Sequence, residues 1–86
     1  MKLRTSNNHE IDVDFAYAPT FDDHMVVKMA DSGEKIKDIC DKMEGVQRFE
    51  AQTSESKIDV YIGYTELKRV SRENGAITMV LMKPKP

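Results

Sequence analysis

Tryptophan is absent from this chain of 86 residues, cysteine occurs once, proline three times and glycine four times. A lone cysteine cannot close an intramolecular disulfide, so the usual staple of small secreted domains is excluded and a reducing, intracellular site of folding is expected. The glycines, scattered as Gly33, Gly45, Gly63 and Gly75, build no phosphate cradle. No apolar run approaches the roughly 20 residues of a membrane span. The opening octet Met1-Lys2-Leu3-Arg4-Thr5-Ser6-Asn7-Asn8 has a basic pair without an apolar stretch behind it, which does not read as a signal peptide. His9, His24 and Cys40 lie at no metal-ligand spacing, and no calcium-loop pattern occurs. Neither a metal nor a cofactor is expected.

What is present is 40% hydrophobic and 33% charged residues, the balance of a globular chain. The expectation is one domain over residues 1–86, because so short a chain cannot divide into two self-supporting cores. Net charge is −2, unevenly spread: residues 1–50 hold seven Lys/Arg against eleven Asp/Glu (−4), and residues 51–86 six against four (+2). A negative total disfavours a dedicated nucleic-acid binder.

Period-2 alternation dominates. Met1, Leu3 and Thr5 alternate with Lys2 and Arg4, and Ser6-Asn7-Asn8-His9 is turn chemistry. Ile11, Val13, Phe15 and Tyr17 then alternate with Asp12, Asp14 and Ala16, predicting one strand with a buried and an acidic face and with Leu3 opposite Ile11 or Val13. Ala18 to Asp23 reads as a loop. Met25, Val27 and Met29 mark a third strand, less polar on its second face and so expected inside a sheet. Asp31-Ser32-Gly33-Glu34 fits a capping box opening a helix over 32–44, with Ile36, Ile39, Cys40 and Met43 as its apolar stripe, Lys37/Asp41 and Asp38/Lys42 as surface pairs, and Gly45 ending it.

Val46–Ala51 is a short strand, and the polar stretch 52–57 reads as a mobile loop. Ile58, Val60, Ile62 and Tyr64 alternate again, but Leu67 falls on the opposite parity and Val70 on the first. A bulge or bend near Gly63 or Lys68-Arg69 is therefore predicted. Asn74-Gly75 is the strongest hairpin signal in the chain, followed by a last strand with Ile77, Met79 and Leu81 on one face and Val80 and Met82 on the other. The fold class expected is α+β, mostly antiparallel β in the order β-β-β-α-β-β-β, as a curved sheet or small open barrel with one helix packed on it.

No residue set specifies a reaction, and no enzymatic role is expected. Asp22-Asp23-His24, the only local cluster of hard ligands, reads as a solvated turn. Cys40, on the helix stripe, reads as a small buried hydrophobe with a raised pKa. Asp12 and Asp14 share a strand face but read as solvated carboxylates, and no serine has a histidine in a triad setting. The basic residues Lys68, Arg69, Arg72, Lys83 and Lys85 gather about the C-terminal hairpin near Tyr61 and Tyr64, the ingredients of single-strand nucleic-acid binding, interrupted by Glu66 and Glu73.

Several stretches resemble small uncharacterised proteins encoded in phages and prophages of Gram-positive bacteria. They are Ile11-Asp12-Val13-Asp14-Phe15, Met43-Glu44-Gly45 with Phe49-Glu50, Tyr61-Ile62-Gly63-Tyr64-Thr65-Glu66-Leu67, and Glu73-Asn74-Gly75-Ala76-Ile77-Thr78-Met79-Val80-Leu81. The resemblance implies a structural or accessory role, beside tail or lysis genes, and supplies no catalytic residue. The function expected is thus a structural or protein-interaction module, virion-associated in a tail region and otherwise in the host cytoplasm. It would work through self-association or a protein partner, with no membrane and no small-molecule substrate. Its expected surface comprises Tyr61, Tyr64, Lys68, Arg69, Arg72, Val80 and Met82. The competing reading is a small nucleic-acid-binding or regulatory module using the basic hairpin.

Overall fold

In the computed structural model, which describes residues 1–19 and 23–84, the chain is mostly antiparallel β with one short helix. The elements are β1 (Lys2–Thr5), β2 (Glu10–Asp12), β3 (Phe15–Tyr17), β4 (His24–Ala30), α1 (Ile36–Met43), β5 (Arg48–Ser54), β6 (Lys57–Ile62), β7 (Glu66–Glu73) and β8 (Ala76–Met82). They form two open four-stranded sheets, β2-β1-β5-β6 and β3-β4-β8-β7. Of the arrangements expected from sequence the small open barrel is not formed, and the strands divide between two open sheets.

Two segments that read as single strands each divide between the sheets, which is why eight strands replace the expected six. Val13 donates its N–H to the Met1 carbonyl (2.9 Å) beside β1, whereas Asp14 donates to Lys28 (2.8 Å) in β4. The step therefore falls between these two residues. Val13 points into the core, and beyond the step the inward parity passes to Ala16, leaving Phe15 and Tyr17 outside. Asp12 and Asp14 lie on either side of the step, both exposed and lining one cleft.

The second crossing lies at Gly63, whose φ of +89° suits glycine. Its N–H still bonds the Gln47 carbonyl (2.9 Å) at the end of the first sheet. A bulge follows between Leu67 and Arg69. The irregularity expected near Gly63 or Lys68-Arg69 thus occurs at both places, and Val70 rejoins the inner face. The stretch 52–57, expected as a mobile loop, is instead mostly strand: Ser54 pairs with Lys57 around a two-residue turn, after a register shift at Gln52/Ser54.

Other readings hold without amendment. Leu3 faces Ile11. β4 lies inside its sheet with Met25, Val27 and Met29 buried. Asn74 (φ 53°) and Gly75 (φ 77°) both take positive φ, as a type I′ turn requires, and Glu73 pairs with Ala76 around it.

The helix begins four residues later than its expected start. Gly33 adopts φ +82°, outside helical space, and Asp31 Oδ1 accepts the Gly33 N–H (2.9 Å) in a local turn instead of capping a helix. Lys35 is the N-cap and supplies no side-chain bond. Glu34 reaches Lys42 Nζ (3.1 Å) across the first turns, so Lys42 does not pair with Asp38. The apolar stripe is as expected: Ile39 and Met43 are buried, with Ile36 and Cys40 packed against them. One core results, built of Leu3, Phe49 and Ala51 from the first sheet, Met25, Val27, Met29, Ile77, Met79 and Leu81 from the second, and the helix stripe.

Candidate interaction surface

Each open sheet has two edges, and three of the four carry protection against pairing with other chains. β2 and β3 are only three residues long. β7 is studded with Glu66, Lys68, Arg69, Arg72 and Glu73. Short or charged edges discourage strand addition. β6 is longer than β2 and β3 and carries charge only at Lys57 and Asp59.

Its register explains the difference. Phe49 pairs with Tyr61 and Ala51 with Asp59, which turns Tyr61 and Asp59 inward and Ile58, Val60 and Ile62 outward. These three are 56%, 42% and 59% exposed, and with Phe15 (44%) and Tyr17 (53%) on β3 they make up the large exposed hydrophobics apart from Met1 among the described residues.

Among the described residues, no strand pairs with their outer edge either. In an antiparallel ladder, alternate residues of a strand bond to opposite neighbours. Gly63 bonds Gln47 across the β5–β6 ladder, and Ser6 donates to Arg48 (3.0 Å) across β1–β5. Continuing both alternations, Tyr61 and Asp59 bond β5, while the N–H and C=O groups of Ile58, Val60 and Ile62 face away from the sheet.

The β6 edge lies beside the end of β3. Val60, Tyr61 and Ile62 line a shallow groove with Ala18, Pro19, Asp23, Tyr64 and Lys83. The Tyr61 hydroxyl donates to the Ala16 carbonyl (3.1 Å), joining the two sheets at this seam. Burial, and secondarily the charge of Asp59, pushes the Tyr61 phenol above its usual 10.0. A raised phenol pKa means that folding favours the neutral form. That stability is present in full below about pH 10 and is lost as pH climbs through the raised value. Tyr61→Phe is expected to cost about 1 kcal/mol at neutral pH through the lost hydrogen bond and to make the alkaline decline shallower. Urea midpoints at pH 7 and about pH 11 measure both effects.

Of the seven residues expected to form the surface, Tyr61 and Tyr64 line this groove and the other five lie elsewhere. Tyr64 is buried, edge-on to Tyr61 with ring centroids 6.5 Å apart, and Lys83 Nζ sits 5.1 Å from its ring centroid. Tyr61 is half-buried. Arg72 is engaged internally: its Nε meets Asp31 Oδ2 at 2.8 Å, and its Nη2 donates to the Glu34 carbonyl, tying the loop before α1 to β7. Lys68 Nζ stands 3.2 Å from His24 Nε2, and Arg69 is exposed opposite Val80. Val80 and Met82 are half-buried on the outer face of their sheet, in register with Val26 and His24. The geometry does not assemble these seven into one patch. Asp22 and Lys85, named in the sequence reading, lie outside the described residues.

Sequence reasoning missed Phe15, Tyr17, Ile58, Val60 and Ile62 because it counted their alternation as a core face. The signal available was the phase break itself, since a strand that changes inward parity leaves one of its apolar stripes outside.

Little here points to catalysis. The cleft between β2 and the loop before α1, about 370 Å³, is lined by Glu10, Asp12, Asp14, Glu34 and Lys42 among others. Glu10 and Asp12 pair with Lys2, and Glu10 also with Arg4. The closest of these, Lys2–Asp12 at 2.7 Å, holds the Asp12 carboxyl below and the Lys2 ammonium above its ordinary value, on the open surface. Burial, then the charges of Glu44 and Asp41, pushes the Cys40 thiol up, away from the reactive thiolate. No group of three or more His, Cys, Asp or Glu among the described residues is placed to hold a metal ion. No helix among the described residues is long and apolar enough to cross a membrane. The chain matches no protein-family model, no curated protein and no solved structure.

Proposed function

We propose that this chain is a non-enzymatic protein-interaction module that docks through the open edge of β6 and the exposed aromatics of β3. The observation that carries the reading is the six-residue edge strand whose outward side chains are Ile58, Val60 and Ile62. Backbone groups along such an edge give affinity to an added strand, and alternate side chains give it specificity. The resemblance to phage and prophage proteins supports a virion-associated setting. Against the nucleic-acid reading stand the burial of Tyr64 and the internal engagement of Arg72.

Panning a random dodecapeptide library against the immobilised chain tests this. The selected peptides are expected to alternate apolar and polar residues, and Val60→Pro is expected to weaken them ten-fold or more. Proline there removes an outward N–H without breaking the β5–β6 ladder. Peptides indifferent to that substitution would sink the reading. So would tight binding of a single-stranded oligonucleotide that falls steeply between about 50 and about 200 mM salt.

A further inference from the structure

We infer that Asn74 is a modification site: it loses its side-chain amide through a cyclic imide formed with the Gly75 nitrogen, and the hairpin turn gates the reaction.

Asparagine is a chemically labile side chain. The chain has three, at Asn7, Asn8 and Asn74. Conversion requires the backbone nitrogen of the following residue to attack the side-chain carbonyl carbon. That nitrogen must therefore be unengaged and uncrowded, and the structure separates the three on this ground. The Asn8 N–H, which follows Asn7, donates to the Thr5 carbonyl (3.1 Å). The His9 N–H, which follows Asn8, donates to Thr5 Oγ1 (3.1 Å). The Gly75 N–H meets no acceptor among the described residues. Gly75 has no side chain to crowd the attack, and nothing lies within 4 Å of where a Cβ would stand. Asn74 and Gly75 are both exposed, at the tip of the β7–β8 hairpin.

Solvent water is the co-reactant, and the steps balance. The Gly75 nitrogen gives up its proton and bonds to Asn74 Cγ, closing a five-membered imide. The Cγ–Nδ2 bond breaks, and the nitrogen leaves with that proton as ammonia. Water then opens the ring at either carbonyl. Opening at Cγ gives aspartate, and opening at the backbone carbonyl gives isoaspartate, whose main chain runs through Cβ and Cγ. Each product adds a negative charge next to Glu73 in the chain.

The folded turn opposes ring closure. Type I′ geometry sets ψ of Asn74 near about +30°, which leaves the Gly75 nitrogen almost anti to Asn74 Cβ. Ring closure needs the two nearly eclipsed, a rotation of about 150° away from the turn's ψ. Glu73 and Ala76 cannot stay paired through such a rotation. Conversion therefore proceeds from molecules whose hairpin tip has opened locally.

The product acts beyond the turn. The Gly75 carbonyl accepts the Asp31 N–H (2.9 Å), which fastens the hairpin tip to the loop before α1. Isoaspartate lengthens the main chain inside a two-residue turn and so displaces this carbonyl. Aspartate adds the charge and leaves the turn its length.

The test holds the native chain in mildly alkaline buffer and follows it by intact mass, peptide mapping and labelling with an isoaspartate-specific methyltransferase. The mass gain of an amide-to-acid exchange is expected in the peptide that holds Asn74, with isoaspartate in the product. In guanidinium chloride the conversion should run ten-fold or more faster, because the turn no longer gates it. A native chain without the gain, or one in which Asn7 or Asn8 converts as fast as Asn74, overturns the site. Equal rates in buffer and denaturant overturn the gate. The isoaspartyl chain, once separated by chromatography, is expected to exchange its Asp31 amide ten-fold or more faster than the parent, while Asn74→Asp stays close to the parent rate. Parent-like exchange at Asp31 in the isoaspartyl chain overturns the link to the α1 loop.

Discussion

Phe49→Ala is expected to remove about 3–5 kcal/mol of folding stability, the range for a buried phenylalanine whose site cannot collapse. Phe49 is fully buried on β5, an interior strand of the first sheet, paired with Thr5 on one side and Tyr61 on the other. Its ring is fully buried in the core that both sheets and α1 share, so its loss opens a void among elements already fixed by their ladders. Domains of this size are stable by only about 5–15 kcal/mol, so the variant should lose a large share of the total. Its urea midpoint should drop steeply with little change in slope.

The control is Ile62→Ala, one pairing step along the same ladder but 59% exposed. It is expected to change stability by no more than about 0.5 kcal/mol. Comparable losses in the two variants would mean that the inward and outward faces of the β5–β6 ladder are assigned the wrong way round.

Met43→Ala is the second large effect, expected to cost about 2–4 kcal/mol. The reason is the weakness of α1 taken alone. Eight residues are too few to hold a helix in water, and Lys35 supplies no side-chain cap. What holds α1 is burial of Ile39 and Met43, together with the Arg72 contacts to Asp31 and Glu34 that fasten the preceding loop to β7. With Met43 truncated, the helix amides should exchange well before those of the β4–β8 ladder. Met43→Leu, of similar volume, should cost less than about 1.5 kcal/mol. Helix amides of Met43→Ala that exchange only with the sheets would show α1 to be inseparable from the sheet core.

Much of the fold was legible because its signals are local. Two consecutive residues with positive φ are comfortable for Asn74-Gly75, so the hairpin could be read directly. The helix stripe is set by spacing alone, and the break in alternation after Tyr64 announced an irregularity that the structure resolves as a crossing at Gly63 and a bulge at Leu67/Arg69. The capping box misled because its pattern also suits a turn. Asp31 can satisfy the Gly33 N–H in either geometry, and the ion pair with Arg72, 41 positions away, accompanies the turn.

The sequence by itself determined the antiparallel character, the hairpin, the helix stripe and the inward sides of β1 and β4. All of these depend on residues close together in the chain. Tertiary structure alone decided that strands 10–17 and 57–73 would each cross between two sheets, and hence that Phe15, Tyr17, Ile58, Val60 and Ile62 would face out. Alternation states that two faces differ. Which of them becomes the inside depends on where the second sheet lies, and Asp14 and Gly63 reset that choice in mid-segment.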